Sequence, residues 1–164
     1  MSLKDALPDA SALDLASKFE QLAAVPEAAL EAAGAKIIVI GCGDFRGLDN
    51  YRENTGFKGP MFADSARKLY FALGMDIQTT ATTPADQQKA SYVSEGYWSN
   101  LWKSIKNGPL RDPTLIGKQG DFGQLGGDFV FGPGNQCTFA HRMQHTQDHV
   151  EVAGLMKLAG AIMP

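Results

Sequence analysis

The stretch from Gly126 to Gly160 constrains the fold more than any other part of this 164-residue chain. Gly126-Gly127-Asp128-Phe129-Val130-Phe131 is a short run rich in β-formers. Gly132-Pro133-Gly134-Asn135 is a cluster of turn residues, and Gln136-Cys137-Thr138-Phe139-Ala140 resumes the strand pattern. Two such strands joined by a loop of about four residues make a hairpin. After it, His141 to His149 holds all three histidines. The spacing then predicts a closing helix, because Val152, Leu155, Met156 and Ala159 recur at i, i+3, i+4 and i+7 on one apolar face. Asp148 with Glu151 three residues on matches a capping box, and Gly160 is a C-terminal stop.

The rest of the chain must complete a core around that unit. Hydrophobic residues make up 44% and charged residues 20%, which is the balance of a globular chain and not of a disordered one. The length suits a single domain over residues 1–164. A net charge of -3 argues against nucleic acid or an anionic membrane as partner. No apolar run approaches the roughly 20 residues of a membrane helix. Met1-Ser2-Leu3-Lys4-Asp5 lacks the apolar centre of a signal peptide, so the expectation is a cytoplasmic protein. Cys42 and Cys137 are the only cysteines, and in a reducing compartment they are expected as free thiols.

Residues 1–10 read as a loose lead-in broken by Pro8 and Asp9. A helix is expected from Ser11 to Val25, with Ala12, Leu15, Ala16, Phe19, Leu22 and Ala23 on one face. Pro26 suits the first turn of a second short helix that runs to Ala33 and stops at Gly34. Lys36 to Gly41 is a β-branched run without alternation, the pattern of a strand buried on both faces. Cys42, Gly43 and Asp44 lie at its C-terminal end, where open α/β sheets build their sites. Asp64 and Ser65 are expected to cap a helix with Ala66, Leu69, Tyr70 and Leu73 on one face and Gly74 as its stop. Met75 to Leu125 is a long insertion, with a polar loop over 79–84, a helix over 91–107 and a loop over 110–125. Helix, strand and helix followed by hairpin and helix is an α/β order, and hairpin plus helix is the second half of a thioredoxin-like fold.

Several separated motifs resemble one family. Ile38-Val39-Ile40-Gly41-Cys42-Gly43-Asp44, Tyr51-Arg52-Glu53-Asn54-Thr55-Gly56-Phe57 and Ala63 to Tyr70 are similar to the peroxiredoxin-like 2 proteins. These are thioredoxin-fold proteins of the alkyl hydroperoxide reductase and thiol-specific antioxidant type, and the likeness is to fungal members. Trp102-Lys103, Lys106 to Pro109, Gln124 to Phe129, His141-Arg142-Met143 and Asp148 to Val152 continue the resemblance over roughly residues 20 to 160.

The resemblance implies a central strand that ends in Cys-x-x-Cys at the start of the first helix. Here that place falls near Ser11 and Asp14, neither of them a thiol. The expectation is therefore a thioredoxin-like fold in which the central first strand is missing or replaced. One replacement is a strand from a second copy, which would make the protein an obligate homodimer. A serine cannot attack a peroxide as a thiolate does.

Cys42 is then the best remaining thiol, with Arg46 and Arg52 close in sequence, and otherwise a small apolar residue at a strand end. His141 beside Arg142 offers a general acid or base next to an anion-holding guanidinium, unless Arg142 only pairs with an acid such as Asp128. His141, His145 and His149 recur every four residues, but they fall on a strand end, a loop and a helix start, so no metal site is expected. Tyr97, Trp98, Trp102 and Phe122 either form a lid over a small-molecule pocket or cover the core. The leading expectation is a repurposed member that binds a small organic molecule and performs proton-transfer chemistry without a cofactor. Its catalytic candidates are His141, Arg142 and Cys42, with Arg46, Arg52, Trp98, Trp102 and His149 around the substrate. The alternatives are a one-cysteine thiol peroxidase using Cys42 and a non-catalytic interaction protein.

Overall fold

The structure is a computed structural model that describes residues 18–91, 93, 120, 121 and 123–163. Residues 18–23 are the described part of the first helix, α1. Leu22 and Val25 are buried, and Phe19 and Ala23 pack beside them, the face the periodicity predicts. Pro26, extended at φ -63° and ψ 129°, ends that helix and precedes α2, Glu27–Ala32. Gly34 closes α2 in the left-handed region at φ 59°.

The β-branched run forms β1, Val39–Gly41, which pairs in parallel with β2, Met61–Ala63. A 3-10 turn, Phe45–Gly47, and α3, Leu48–Thr55, connect them. The expected burial on both faces of the first strand is corrected. Val39 and Met61 are buried at 9% and 5% exposure, while Ile38 and Phe62 remain 54% and 55% exposed. Alternation along a strand puts these pairs on opposite faces, and the described residues cover only one face.

α4, Lys68–Ala72, begins later than its cap suggests. Asp64 does cap it, since its carboxylate accepts the backbone N–H groups of Lys68, Leu69 and Tyr70 at 3.1, 2.8 and 3.3 Å. Ser65 turns the other way and donates to the Gly43 carbonyl at 2.7 Å. Arg67 sits at φ 56°, left-handed, and delays the first helical residue to Lys68. Of the expected apolar face only Tyr70 is buried, and Leu69 is exposed.

The hairpin forms as the sequence predicts. β3, Gly127–Phe131, and β4, Cys137–Arg142, are antiparallel, with Asp128 opposite His141 and a bulge between Val130 and Phe131. Gly132 N–H bonds the Gln136 carbonyl at 2.8 Å, and Gly134 and Asn135 take the positive φ values of the loop. The closing helix, α5, is Val152–Leu158 and buries Val152, Leu155 and Met156. Its capping box does not form. The Asp148 carboxylate accepts Gln144 N–H at 2.7 Å, and Glu151 takes both groups of Ser91 at 2.6 Å. At the other end Gly160, at φ 77°, lets Ala161 N–H reach the Met156 carbonyl at 2.9 Å.

One core joins these pieces. Leu22, Val25, Val39, Phe57, Met61, Val152, Leu155, Met156 and Ala161 form it, with Val130 and Phe139 of the hairpin against it. The two strand pairs remain separate sheets, and among the described residues no strand is hydrogen-bonded between β1 and β3. The places near Ser11 and Asp14, and the lid residues Tyr97, Trp98, Trp102 and Phe122, lie outside the described residues. Among the described residues no helix is long and apolar enough to cross a membrane.

Candidate functional site

Cys42 leaves the C-terminal end of β1 half-buried. Residues 120 and 121 cross over it. A Cβ at Gly120, which has φ 87°, would stand 2.8 Å from the Cys42 carbonyl oxygen, so this crossing needs glycine. The Asp121 backbone N–H donates to the thiol. Among the described residues, Arg67 is the cation that acts on the thiol. Its Nη1 donates to the Asp121 carboxylate at 3.0 Å and to Gln124 Oε1 at 3.1 Å. Gln124 is itself held, donating to the carbonyls of Met75 and Leu125 at 2.9 Å each. Arg67 also lies 5.5 Å from the centre of the Phe71 ring.

Two tyrosines complete this surround. Tyr70 O–H donates to the Ile40 carbonyl at 3.0 Å, and Tyr51 meets Phe19 edge-on at 5.6 Å. Burial pushes the Tyr51 phenol up to about 12 and raises that of Tyr70, and a thiolate at Cys42 would add to both. Burial also raises the Cys42 thiol above its ordinary value. The Asp121 N–H and the thiol's own backbone N–H oppose that rise, the Asp121 carboxylate adds to it, and Arg67 reduces it. Cys42 is accordingly held as a thiol near neutral pH by burial, with backbone N–H groups and Arg67 favouring its anion and the Asp121 carboxylate opposing it.

Arg46 and Arg52 do not join this group. Arg46 folds back on its own turn, donating to Asp44 through Nε at 2.8 Å and lying over the Phe45 ring. Arg52 is exposed on the last turn of α3. Neighbours in sequence pointed to these two. The parallel register Gly41↔Ala63 instead brings the chain after β2 beside Cys42, and Arg67 lies on that chain.

His141 and Arg142 are adjacent in β4 and have separate partners. His141 Nε2 contacts the Asp148 backbone carbonyl at 2.5 Å and its carboxylate at 3.4 Å. Arg142 Nε donates to the Leu73 carbonyl, and its guanidinium lies 5.6 Å from the Phe129 ring centre. The suggested pairing of Arg142 with Asp128 does not occur. Asp128 instead accepts Lys18 Nζ at 2.5 Å, His149 Nδ1 at 3.1 Å and Val150 N–H at 2.8 Å. His145 lies apart, at 3.3 Å from Gln87 Oε1 and accepting Gln147 N–H. The three histidines thus hold three different partners. Among the described residues no group of three or more His, Cys, Asp and Glu side chains is arranged to hold a metal ion. Cys137 is exposed on β4, its thiol donating to the Phe139 carbonyl at 3.1 Å.

A family profile described as AhpC/TSA antioxidant enzyme matches residues 14–145. Peroxiredoxin-like 2C of Mus musculus is 32% identical over 145 residues, which covers 86% of this chain and 60% of that protein. The Homo sapiens protein of the same name is 31% identical over 142 residues, with the same coverage. That of Takifugu rubripes is 33% identical over 146 residues, covering 86% of this chain and 62% of that protein. The chain therefore spans about 60% of the length of these relatives. No solved structure shows a significant match.

Proposed function

The chain belongs to the AhpC/TSA antioxidant enzyme family, with relatives of the peroxiredoxin-like 2 type, and from that premise we propose that its chemistry is reduction of a peroxide by the Cys42 thiol. One observation carries this reading: the thiol at the end of β1 receives the Asp121 N–H and faces the Arg67 charge. Both favour the anion that attacks a peroxide, against the burial that raises the thiol overall. The thiolate sulfur bonds to one peroxide oxygen as the O–O bond breaks. The other oxygen leaves as an alcohol or water after taking a proton, and Cys42 becomes a sulfenic acid. A small-molecule thiol then condenses with that sulfenic acid and releases water, and a second thiol frees Cys42 as the disulfide of the reductant. Cys137 is exposed on β4 with its thiol hydrogen-bonded to the Phe139 carbonyl, and this reading takes an external thiol as the resolving partner. Peroxide consumption with a thiol reductant tests this, since Cys42→Ser should abolish it and Cys137→Ser should not.

Two observations favour a second reading, cofactor-free proton transfer on a small organic molecule. Burial keeps Cys42 protonated, and His141 is partly exposed beside the Asp148 carboxylate, an imidazole oriented by an acid. Arg142 is engaged elsewhere, so His141 alone would carry that chemistry. Loss of turnover or ligand affinity in His141→Ala, with Cys42→Ser unaffected, would select it. Either reading can be held by a homodimer in which a second copy supplies the central strand that the family resemblance implies. Light scattering reads its mass directly.

A further inference from the structure

Lys18, Asp128 and His149 come from three parts of the chain and meet away from the water. Lys18 is in α1, Asp128 is in β3, and His149 precedes α5. Their side chains are only 3%, 10% and 13% exposed. The Asp128 carboxylate accepts the ammonium of Lys18, the ring nitrogen Nδ1 of His149 and the backbone N–H of Val150. We propose that this cluster is an acid-sensitive latch, which holds α1 to the hairpin and to the start of α5 near neutral pH and lets it go on acidification.

With His149 neutral, Lys18 and Asp128 balance in charge. A proton on His149 puts a second positive charge beside Lys18 with one carboxylate between them. His141 faces the same place, because it sits opposite Asp128 in the ladder, and it disfavours a charged His149 further. Asp148 lies against His141, and Glu151 acts on Lys18 while it holds Ser91. Burial is the largest influence on His149 and lowers its pKa, Asp128 working against it. The sign follows. The released segment takes up a proton near the ordinary histidine value of 6.5, and the latched one takes it up only at lower pH. Latching is therefore full above that value and weakens as pH falls below it.

Hydrogen exchange of the backbone amides of residues 19–24, corrected for intrinsic pH dependence, reads the latch. Below the free histidine value, uptake of a proton on release should cut protection relative to neutral pH, by no more than about tenfold per pH unit. The wild type should show that loss, His145→Gln should keep it, and His149→Gln should lack it. An equal loss in His149→Gln, or none in the wild type, overturns the proposal. If His149→Gln does not fold, the wild-type ring signal of His149 decides. Titration below the free value supports the latch, and titration at or above it contradicts it.

Discussion

Arg67 donates to the Asp121 carboxylate at 3.0 Å, and both residues act on the Cys42 thiol. The pair is partly exposed, with side chains at 29% and 43%, so its own contribution to stability is small, about 0–1 kcal/mol. Its consequence is electrostatic. Arg67 divides its charge between a carboxylate that opposes the thiolate and the thiolate itself.

That division sets the acidity of Cys42. In a Cys137→Ser background, alkylation of Cys42 should titrate above the ordinary thiol value of 9.0, because burial dominates. Asp121→Asn removes the opposing carboxylate and frees Arg67, and should move the midpoint down. Arg67→Gln should move it up. Coincident midpoints for all three proteins would show that the pair does not reach the thiol.

Asp64 holds the first turn of α4 through three backbone N–H groups. Asp64→Ala should cost about 0.5–2 kcal/mol in urea unfolding, the range for a lost helix cap. Ser65→Ala, which removes one exposed hydrogen bond to Gly43, should cost less. The opposite order would place the cap elsewhere.

Met156 is 4% exposed, at the centre of the core, and Leu158 on the same helix is 50% exposed. Met156→Ala should cost about 2–5 kcal/mol as a cavity opens. Leu158→Ala should stay within about 0.5 kcal/mol. Equal effects in chemical denaturation would mean that α5 does not pack by this face.

At Gly127 a Cβ would stand 2.5 Å from the His141 carbonyl oxygen, a backbone atom of the paired strand. Gly127→Ala must push β3 and β4 apart and should cost about 1–3 kcal/mol. At Gly126 the nearest atom to a Cβ is 3.8 Å away, the sulfur of Met143. Gly126→Ala should fold with almost no loss of melting temperature, and a loss equal to that of Gly127→Ala would contradict this register.

The hairpin and α5 were readable in the sequence because each repeats its pattern long enough to register, and the turn residues between the strands have few alternatives. β2 and α3 were not. Three residues, Met61–Ala63, are too few to show alternation, and α3 buries only Thr55, so neither leaves a periodic trace. The capping box at Asp148 and Glu151 failed because both carboxylates found other donors, Gln144 and Ser91. At the site, Cys42 was legible from its place after a β-branched strand. Arg67 was not, since it reaches the thiol through the pairing of β1 with β2, and sequence distance favoured Arg46 and Arg52 instead. The buried cluster of Lys18, Asp128 and His149 joins residues 110 and 21 positions apart, a separation that local patterns do not encode.

The most direct test is peroxide consumption by the wild-type protein with a thiol reductant, with free thiols counted before and after peroxide. Turnover that disappears in Cys42→Ser and persists in Cys137→Ser, with one thiol lost per chain when the reductant is withheld, is the expected result. Two thiols that stay unreactive, and no turnover above the reductant alone, would contradict thiol chemistry at Cys42.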